Sequence, residues 1–87
     1  MSAPWDLRFS KRAGKDAKKI VKAGLKDAVE AILDAIETNP FSLPHEKLVG
    51  DLKGLYSRRI NLQHRIVYQV KKKEHLVVIL AMWTHYE

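Results

Sequence analysis

Residues 55–83 read LYSRRINLQHRIVYQVKKKEHLVVILAMW, and this pattern indicates the architecture of the whole chain. Apolar and polar residues alternate with a period of two, which is typical of β-strands. Three strands are predicted, over residues 55–60, 63–70 and 76–83. The turns between them, Asn61-Leu62 and residues 71–75, are too short for a parallel crossover, so we expect an antiparallel meander.

A fourth strand is predicted near the N-terminus. Trp5, Leu7 and Phe9 alternate with Asp6 and Arg8, so residues 5–9 read as a short, half-buried strand. Residues 76–82 are apolar on both faces, as in a strand from the middle of a sheet. We therefore expect the N-terminal strand to pair along the free side of the last strand.

Two helices are predicted between these strands. Ser10 is a suitable N-cap for a helix over residues 11–23, and apolar residues recur at helical spacing again over residues 25–36. Asn39-Pro40 ends the second helix, because the residue before proline disfavours the α region, and residues 40–50 are expected to form a loop. The predicted fold class is α+β: a two-helix antiparallel hairpin on one face of a small, mainly antiparallel four-stranded sheet.

Length and composition exclude several classes of protein. At 87 residues, with 46% hydrophobic and 30% charged residues, the chain is predicted to form one globular domain, residues 1–87. The absence of cysteine excludes disulfides, thiolate zinc sites and cysteine nucleophiles. The four histidines lack metal-ligand spacing, so neither a metal nor a cofactor is expected. Without a run of ~20 apolar residues or a signal-peptide pattern, we expect a cytoplasmic protein with no membrane partner.

The positive charge is concentrated in one segment. The net charge is +6, and residues 11–26 contain seven basic residues against one acid, Asp16, so this segment carries the whole excess. Such a stripe would attract a polyanion, of which nucleic acid is the commonest intracellular example. The alternative is a solvated helix face balanced by its acidic neighbours, Asp27, Glu30, Asp34 and Glu37. Charge alone leaves both interpretations open.

Three residue types suggest chemistry at a phosphodiester. With a two-residue turn at Asn61-Leu62, Arg58 would lie opposite Arg65. The two guanidinium groups would then either bind a phosphate or extend into water on an exposed face. Glu46 lies in the predicted loop and His85 near the C-terminus. A carboxylate can accept the proton of an attacking oxygen, an arginine can stabilise the pentavalent charge, and an imidazolium can protonate the leaving oxygen. RNA supplies its own nucleophile, the 2′-OH, so no metal is required.

A family resemblance covers nearly the whole chain. Residues 52–60, LKGLYSRRI, followed by His64-Arg65-Ile66-Val67-Tyr68 and the terminal His85-Tyr86, resemble the YoeB (Txe/YoeB) family of bacterial toxins, part of the RelE/ParE superfamily. The resemblance implies a toxin of a type II toxin–antitoxin pair that enters the ribosomal A site and cuts messenger RNA. The expected products are a 2′,3′-cyclic phosphate and a free 5′-hydroxyl.

The same resemblance assigns roles to individual residues. Glu46 matches the family's general base, Arg65 its phosphate-stabilising arginine, His85 its general acid and Tyr86 a tyrosine that orients substrate. Arg59 matches a position whose task is either the fold or RNA contact. The full set of expected substrate contacts is Tyr86, Arg59, Arg58, Lys47 and Lys53, and the expected ribosome contacts are Lys11, Arg12, Lys15, Lys18, Lys19 and Lys22.

The chain also departs from the family pattern. Val49 stands where relatives commonly carry a lysine, so a phosphate contact is either missing or supplied by Lys47 or Lys53. Glu87 follows the usual terminal His-Tyr, and its carboxylate would raise the pKa of His85 by charge attraction. Lys71-Lys72-Lys73 lengthens the last predicted hairpin, and neither this nor Glu87 removes a catalytic group.

The resemblance further implies partners and leaves two alternatives. The expected partners are a YefM-like antitoxin that folds over the basic active-site face, messenger RNA, and the ribosome (30S and 50S subunits, at the A site), with a homodimer also compatible. One alternative is a non-catalytic toxin resembling the ParE branch, which poisons DNA gyrase. The other is a plain RNA-binding module. The presence of Glu46, Arg65 and His85 together favours the nuclease over both.

Overall fold

A mixed sheet carrying two helices makes up the described part of the chain. The computed structural model describes residues 4–41, 46–47 and 54–83, with residues 46 and 47 described for their backbone. In chain order the elements are β1 (Asp6–Phe9), α1 (Lys11–Lys22), α2 (Lys26–Thr38), β2 (Glu46–Lys47), β3 (Leu55–Arg59), β4 (Arg65–Lys71) and β5 (Leu76–Ala81). The strands form one sheet in the order β1-β5-β4-β3-β2, in which β1 is parallel to β5 and all other neighbours are antiparallel. No helix in these ranges is long and apolar enough to cross a membrane.

The predicted fold class is confirmed, and the sheet has one further short strand. The four predicted strands and both helices are present, and β1 pairs with the free side of β5, as expected. The prediction of a loop over residues 40–50 missed the strand β2. In this strand, Glu46 pairs with Ser57 and Lys47 pairs with Tyr56. This pairing gives backbone partners to the outer edge of β3, which would otherwise end the sheet.

The central strand β5 anchors the core. It is hydrogen-bonded on both sides, to β1 and β4, and its side chains alternate between the two faces of the sheet. Val77 and Ile79 are fully buried on the face that the helices cover, whereas Leu76, Val78 and Leu80 are half-buried on the other face. This explains why β5 is apolar at every position.

Both helices lie on the same face of the sheet. Ala13 and Ile20 of α1 and Val29 and Ile36 of α2 are buried in one cluster with side chains of β4 and β5, including Ile66, Tyr68, Val77 and Ile79. Ser10 joins the start of α1 to β5, because its hydroxyl accepts a hydrogen bond from the Ala13 amide (3.0 Å) and donates one to the Leu80 carbonyl (2.8 Å). The N-cap therefore also fixes the helix to the sheet.

Tyr68 joins the end of α2 to the middle of the sheet. Its ring is fully buried and its hydroxyl donates a 2.8 Å hydrogen bond to the carbonyl of Pro40, which is itself buried. Tyr56 stacks beside it with ring centroids 5.8 Å apart, and Phe41 meets Tyr56 edge to face. These aromatic contacts cover the region where the chain leaves the second helix.

The Tyr68→Phe variant tests this contact. It removes the donor to a buried carbonyl while keeping the ring, so we expect the free energy of unfolding to fall by about 1–3 kcal/mol, measured by urea denaturation. A variant as stable as the wild type would show that the hydrogen bond contributes nothing net.

The same side chain predicts a loss of stability in alkaline solution. Burial raises the pKa of the Tyr68 phenol above 10.0, and the neighbouring Arg58 partly opposes this effect. Because the folded pKa is the higher one, the contribution of the neutral phenol is complete below pH 10 and is lost as the pH rises through the folded value. We expect the free energy of unfolding to decrease above pH 10, and the decrease to be shallower in Tyr68→Phe.

Candidate functional site

The turn between β3 and β4 sets which arginines share a face of the sheet. Asn61 Oδ1 accepts hydrogen bonds from the amides of Gln63 and His64, both at 2.8 Å, and the Ile60 amide donates to the His64 carbonyl at 2.9 Å. Ile60 therefore lies opposite His64, with three residues in the turn. The predicted two-residue turn was wrong, because the asparagine side chain stabilises a longer one.

This turn shifts the pairing register by one residue. Arg59 lies opposite Arg65, and Arg58 lies opposite Ile66, so the predicted pairing of Arg58 with Arg65 was wrong. A shift of one residue moves a side chain to the other face of a strand. Arg58 is consequently on the helix-covered face, 6% exposed and beside Tyr68.

Arg59 and Arg65 form the cationic pair of the open face, which is the face that the helices leave uncovered. Arg59 is exposed and Arg65 is half-buried. Like charges directly across two strands are destabilising, and an anion between them would remove that cost. Guanidinium groups in this position suit a phosphate, whose oxygens they can bind in pairs.

The register also brings Glu46 to this part of the sheet. Glu46 pairs with Ser57, whose fully buried hydroxyl lies 3.5 Å from Arg65 Nη1, a long hydrogen bond. The backbone of Glu46, the predicted general base, therefore lies beside Ser57. Ser57 in turn contacts Arg65, the predicted phosphate-stabilising arginine. Lys47 pairs with Tyr56 in the same strand.

Asp16 fixes the point at which the chain leaves β5. It is 4% exposed, and its Oδ2 accepts hydrogen bonds from the Met82 amide (3.0 Å) and the Trp83 amide (3.2 Å). Arg12 Nε lies 3.8 Å from the same oxygen. The carboxylate therefore joins α1 to the segment that leads into the C-terminal residues.

His64 holds Trp83 from the other side. The two rings stack with centroids 3.8 Å apart and an interplanar angle of 21°, and His64 is 3% exposed. The imidazole thus packs inside the fold. Asp16, Ser57 and His64 were not predicted as parts of the site. Asp16 offered a signal, since it shares helical spacing with the buried Ala13 and Ile20.

The remaining predicted residues divide into two groups. The six basic residues of α1 are all exposed, as a surface for a polyanion requires: Lys11, Arg12, Lys15, Lys18, Lys19 and Lys22. Lys53, His85 and Tyr86, together with Val49 and Glu87, lie outside the described residues. Within residues 4–41, 46–47 and 54–83, no three histidine or carboxylate side chains are grouped as a metal site would need.

Known proteins match both the sequence and the fold. Residues 9–86 match the model of the "YoeB-like toxin of bacterial type II toxin-antitoxin system" family. Toxin YoeB of Synechocystis sp. (strain ATCC 27184 / PCC 6803 / Kazusa) is 32% identical in an alignment of 72 residues that covers 80% of this chain and 76% of that protein.

Two structures from Staphylococcus aureus are also similar to the chain. The YoeB dimer has a TM-score of 0.81 and the toxin in the YoeB-YefM complex a TM-score of 0.76. Each is 31% identical, over 97% of this chain and 100% of the other.

Substitutions of Asp16 test its role at the end of β5. Asp16→Ala leaves the amides of Met82 and Trp83 without their acceptor, and we expect the free energy of unfolding to fall by about 2–4 kcal/mol. Asp16→Asn keeps an oxygen acceptor of the same shape, so its loss should be about 1 kcal/mol. Urea denaturation measures both. Equal losses in the two variants would contradict the assignment of the carboxylate as an amide acceptor.

Proposed function

Because the chain belongs to the YoeB-like toxin family of bacterial type II toxin–antitoxin systems, we propose that it is a ribosome-dependent endoribonuclease. It cleaves messenger RNA in the ribosomal A site by metal-independent attack of the 2′-OH, and so inhibits translation. The observation that carries this proposal is the register of β2, β3 and β4, which brings Glu46, Ser57, Arg59 and Arg65 together at one part of the sheet.

The proposed reaction divides its proton transfers between two side chains. Glu46 accepts the proton of the 2′-OH as that oxygen attacks the adjacent phosphorus. The bond from phosphorus to the 5′-oxygen breaks, and His85 donates a proton to that oxygen. The products are a 2′,3′-cyclic phosphate and a free 5′-hydroxyl. The reaction consumes no water, and the proposed mechanism uses no metal ion.

Arginine supplies the electrostatic part of the mechanism. The negative charge on the phosphate oxygens increases in the pentavalent transition state, and a preorganised donor stabilises it more than it stabilises the ground state. Arg65 is half-buried and contacts Ser57, so its guanidinium is better fixed than that of the exposed Arg59. We assign Arg65 to the transition state and Arg59 to phosphate binding, and Arg58 to the fold because it is buried.

The other proposed contacts surround this centre. Tyr86 orients the substrate, and Lys47 or Lys53 supplies the phosphate contact that Val49 cannot make. The six exposed basic residues of α1 bind ribosomal RNA, and this contact should weaken steeply as the salt concentration rises.

A cytoplasmic antitoxin partner completes the proposal. The YoeB of Staphylococcus aureus forms a complex with YefM and also a dimer. We propose that a YefM-like antitoxin covers the cationic open face of this chain, and that the toxin can form a homodimer. Acidic side chains in the antitoxin would complement Arg59 and Arg65.

Primer extension on a translated messenger, with and without ribosomes, tests the enzyme. We expect cuts within codons that require ribosomes and disappear in Glu46→Gln and His85→Ala. Arg65→Lys keeps the charge but loses the guanidinium fork, and we expect its cleavage rate to fall about 100-fold. The matched control is Arg8→Lys, an exposed arginine of β1 at the far edge of the same sheet, which should cleave at the wild-type rate.

Two outcomes would contradict the proposal. A folded wild-type protein that cuts no messenger on ribosomes would contradict the nuclease, and gyrase inhibition would then be measured next. Equal rates in Arg65→Lys and Arg8→Lys would contradict the role of Arg65.

A further inference from the structure

An open cleft lies between α1 and Trp83, two residues after the end of β5. Its volume is about 500 Å³, within the range of small-molecule sites. Of the described residues, those that line it are Lys11, Arg12, Lys15, Asp16, Lys19 and Trp83. The proposed catalytic chemistry uses none of them.

The aromatic wall of the cleft is held in place from two directions. The Trp83 amide is bound by Asp16 at 3.2 Å, and the indole ring stacks on the buried ring of His64 at 3.8 Å. Trp83 is nevertheless only half-buried and contributes surface to the cleft. A fixed indole loses little conformational entropy when a second flat ring stacks on it.

The charge of the cleft suits an anion. Among the described lining residues, the four basic ones are exposed, whereas the acidic one, Asp16, has a side chain 6% exposed that accepts from two backbone amides. A ligand in the cleft therefore meets lysine and arginine together with an indole. A nucleotide has the matching parts, a flat base and an anionic phosphate.

The cleft lies at the same end of the sheet as the proposed catalytic centre. His64, which stacks on Trp83, directly precedes Arg65, and the two residues belong to opposite faces of the sheet. The carboxyl end of β5, the first residues of α1 and the β3–β4 turn all meet there. RNA bound at Arg65 could therefore continue around this end of the sheet to Trp83.

From this geometry we infer that the cleft binds one unpaired RNA nucleotide, with its base stacked on Trp83 and its phosphate held by Lys15 and Lys19. The inference rests on the proposed function, because it assumes that the toxin acts on RNA. The inference goes beyond a general electrostatic attraction between lysine side chains and phosphate, because it requires that the ligand has a base that stacks on Trp83. The nucleotide can come from the messenger or from ribosomal RNA, which offer the same chemistry.

Tryptophan fluorescence tests the stacking directly. Trp5, the other tryptophan, stacks on His75 at the opposite end of the sheet, so Trp5→Phe leaves Trp83 as the single reporter. This variant is titrated with a single-stranded RNA hexanucleotide and with an abasic oligoribonucleotide that has the same number of phosphates. We expect the hexanucleotide to quench Trp83 and to bind roughly tenfold more tightly than the abasic probe.

Two pairs of lysines on the same helix provide matched variants. Lys15→Gln with Lys19→Gln removes charge from the cleft, whereas Lys18→Gln with Lys22→Gln removes the same charge from positions that do not line it. The measured quantity is the slope of the logarithm of RNA affinity against the logarithm of salt concentration. We expect the Lys15 and Lys19 substitutions to reduce the magnitude of this slope by about 1–2, and the Lys18 and Lys22 substitutions to change it less. Labelled forms of both probes are compared on the wild-type chain by fluorescence anisotropy, which does not depend on the folding of any variant.

Three results would overturn the inference. These are equal affinity for the two probes, no quenching of Trp83 by RNA, and quenching by poly-glutamate but not by RNA, which would indicate an acidic protein partner. To determine whether the nucleotide comes from messenger RNA or from ribosomal RNA, a photoreactive base is placed in one of the two RNAs at a time. Cross-linking of each RNA to Trp83 is then measured on the ribosome. If the cleft fails these tests while ribosome-dependent cleavage remains sensitive to Glu46→Gln, the nuclease stands and only the cleft assignment is wrong.

Discussion

A single buried carboxylate determines how the chain ends its sheet. Asp16 accepts hydrogen bonds from the Met82 and Trp83 amides, directly after β5 ends at Ala81. Burying a charge is costly unless hydrogen bonds and an opposite charge compensate for it, and here two amides and the nearby Arg12 do so. Together with the Ser10 contact to Leu80, this interaction fixes the start of α1 and the end of β5 against each other. The position of α1 relative to Met82 and Trp83 is therefore fixed.

The second constraint is the three-residue turn between β3 and β4, which divides the polar residues of these strands between two faces. Arg59 and Arg65 reach the open face, whereas Arg58 and His64 are buried on the helix-covered side. Two adjacent arginines thus have different surroundings, since Arg58 is buried beside Tyr68 and Arg59 is exposed on the open face. Because this division depends on the register, a turn one residue shorter would place Arg58 instead of Arg59 on the same face as Arg65.

The sequence predicted the features that depend on periodicity. The central position of β5, the pairing of β1 and both helices followed from apolar spacing, which is repeated over many residues. The register of β3 and β4 did not, because it depends on the Asn61 side chain and its bonds to Gln63 and His64. β2 contains two residues, too few to show any period. The pairing of Glu46 with Ser57 was therefore visible only in the structure.

The structure of the Glu46→Gln variant bound to a ribosome with messenger in its A site tests the central claim most directly. The claim is that the open face bearing Arg59 and Arg65 is the catalytic face. It predicts a messenger phosphate about 3 Å from the guanidinium of Arg65, with α1 directed toward ribosomal RNA. A toxin bound with the Arg59–Arg65 face turned away from the messenger would contradict it.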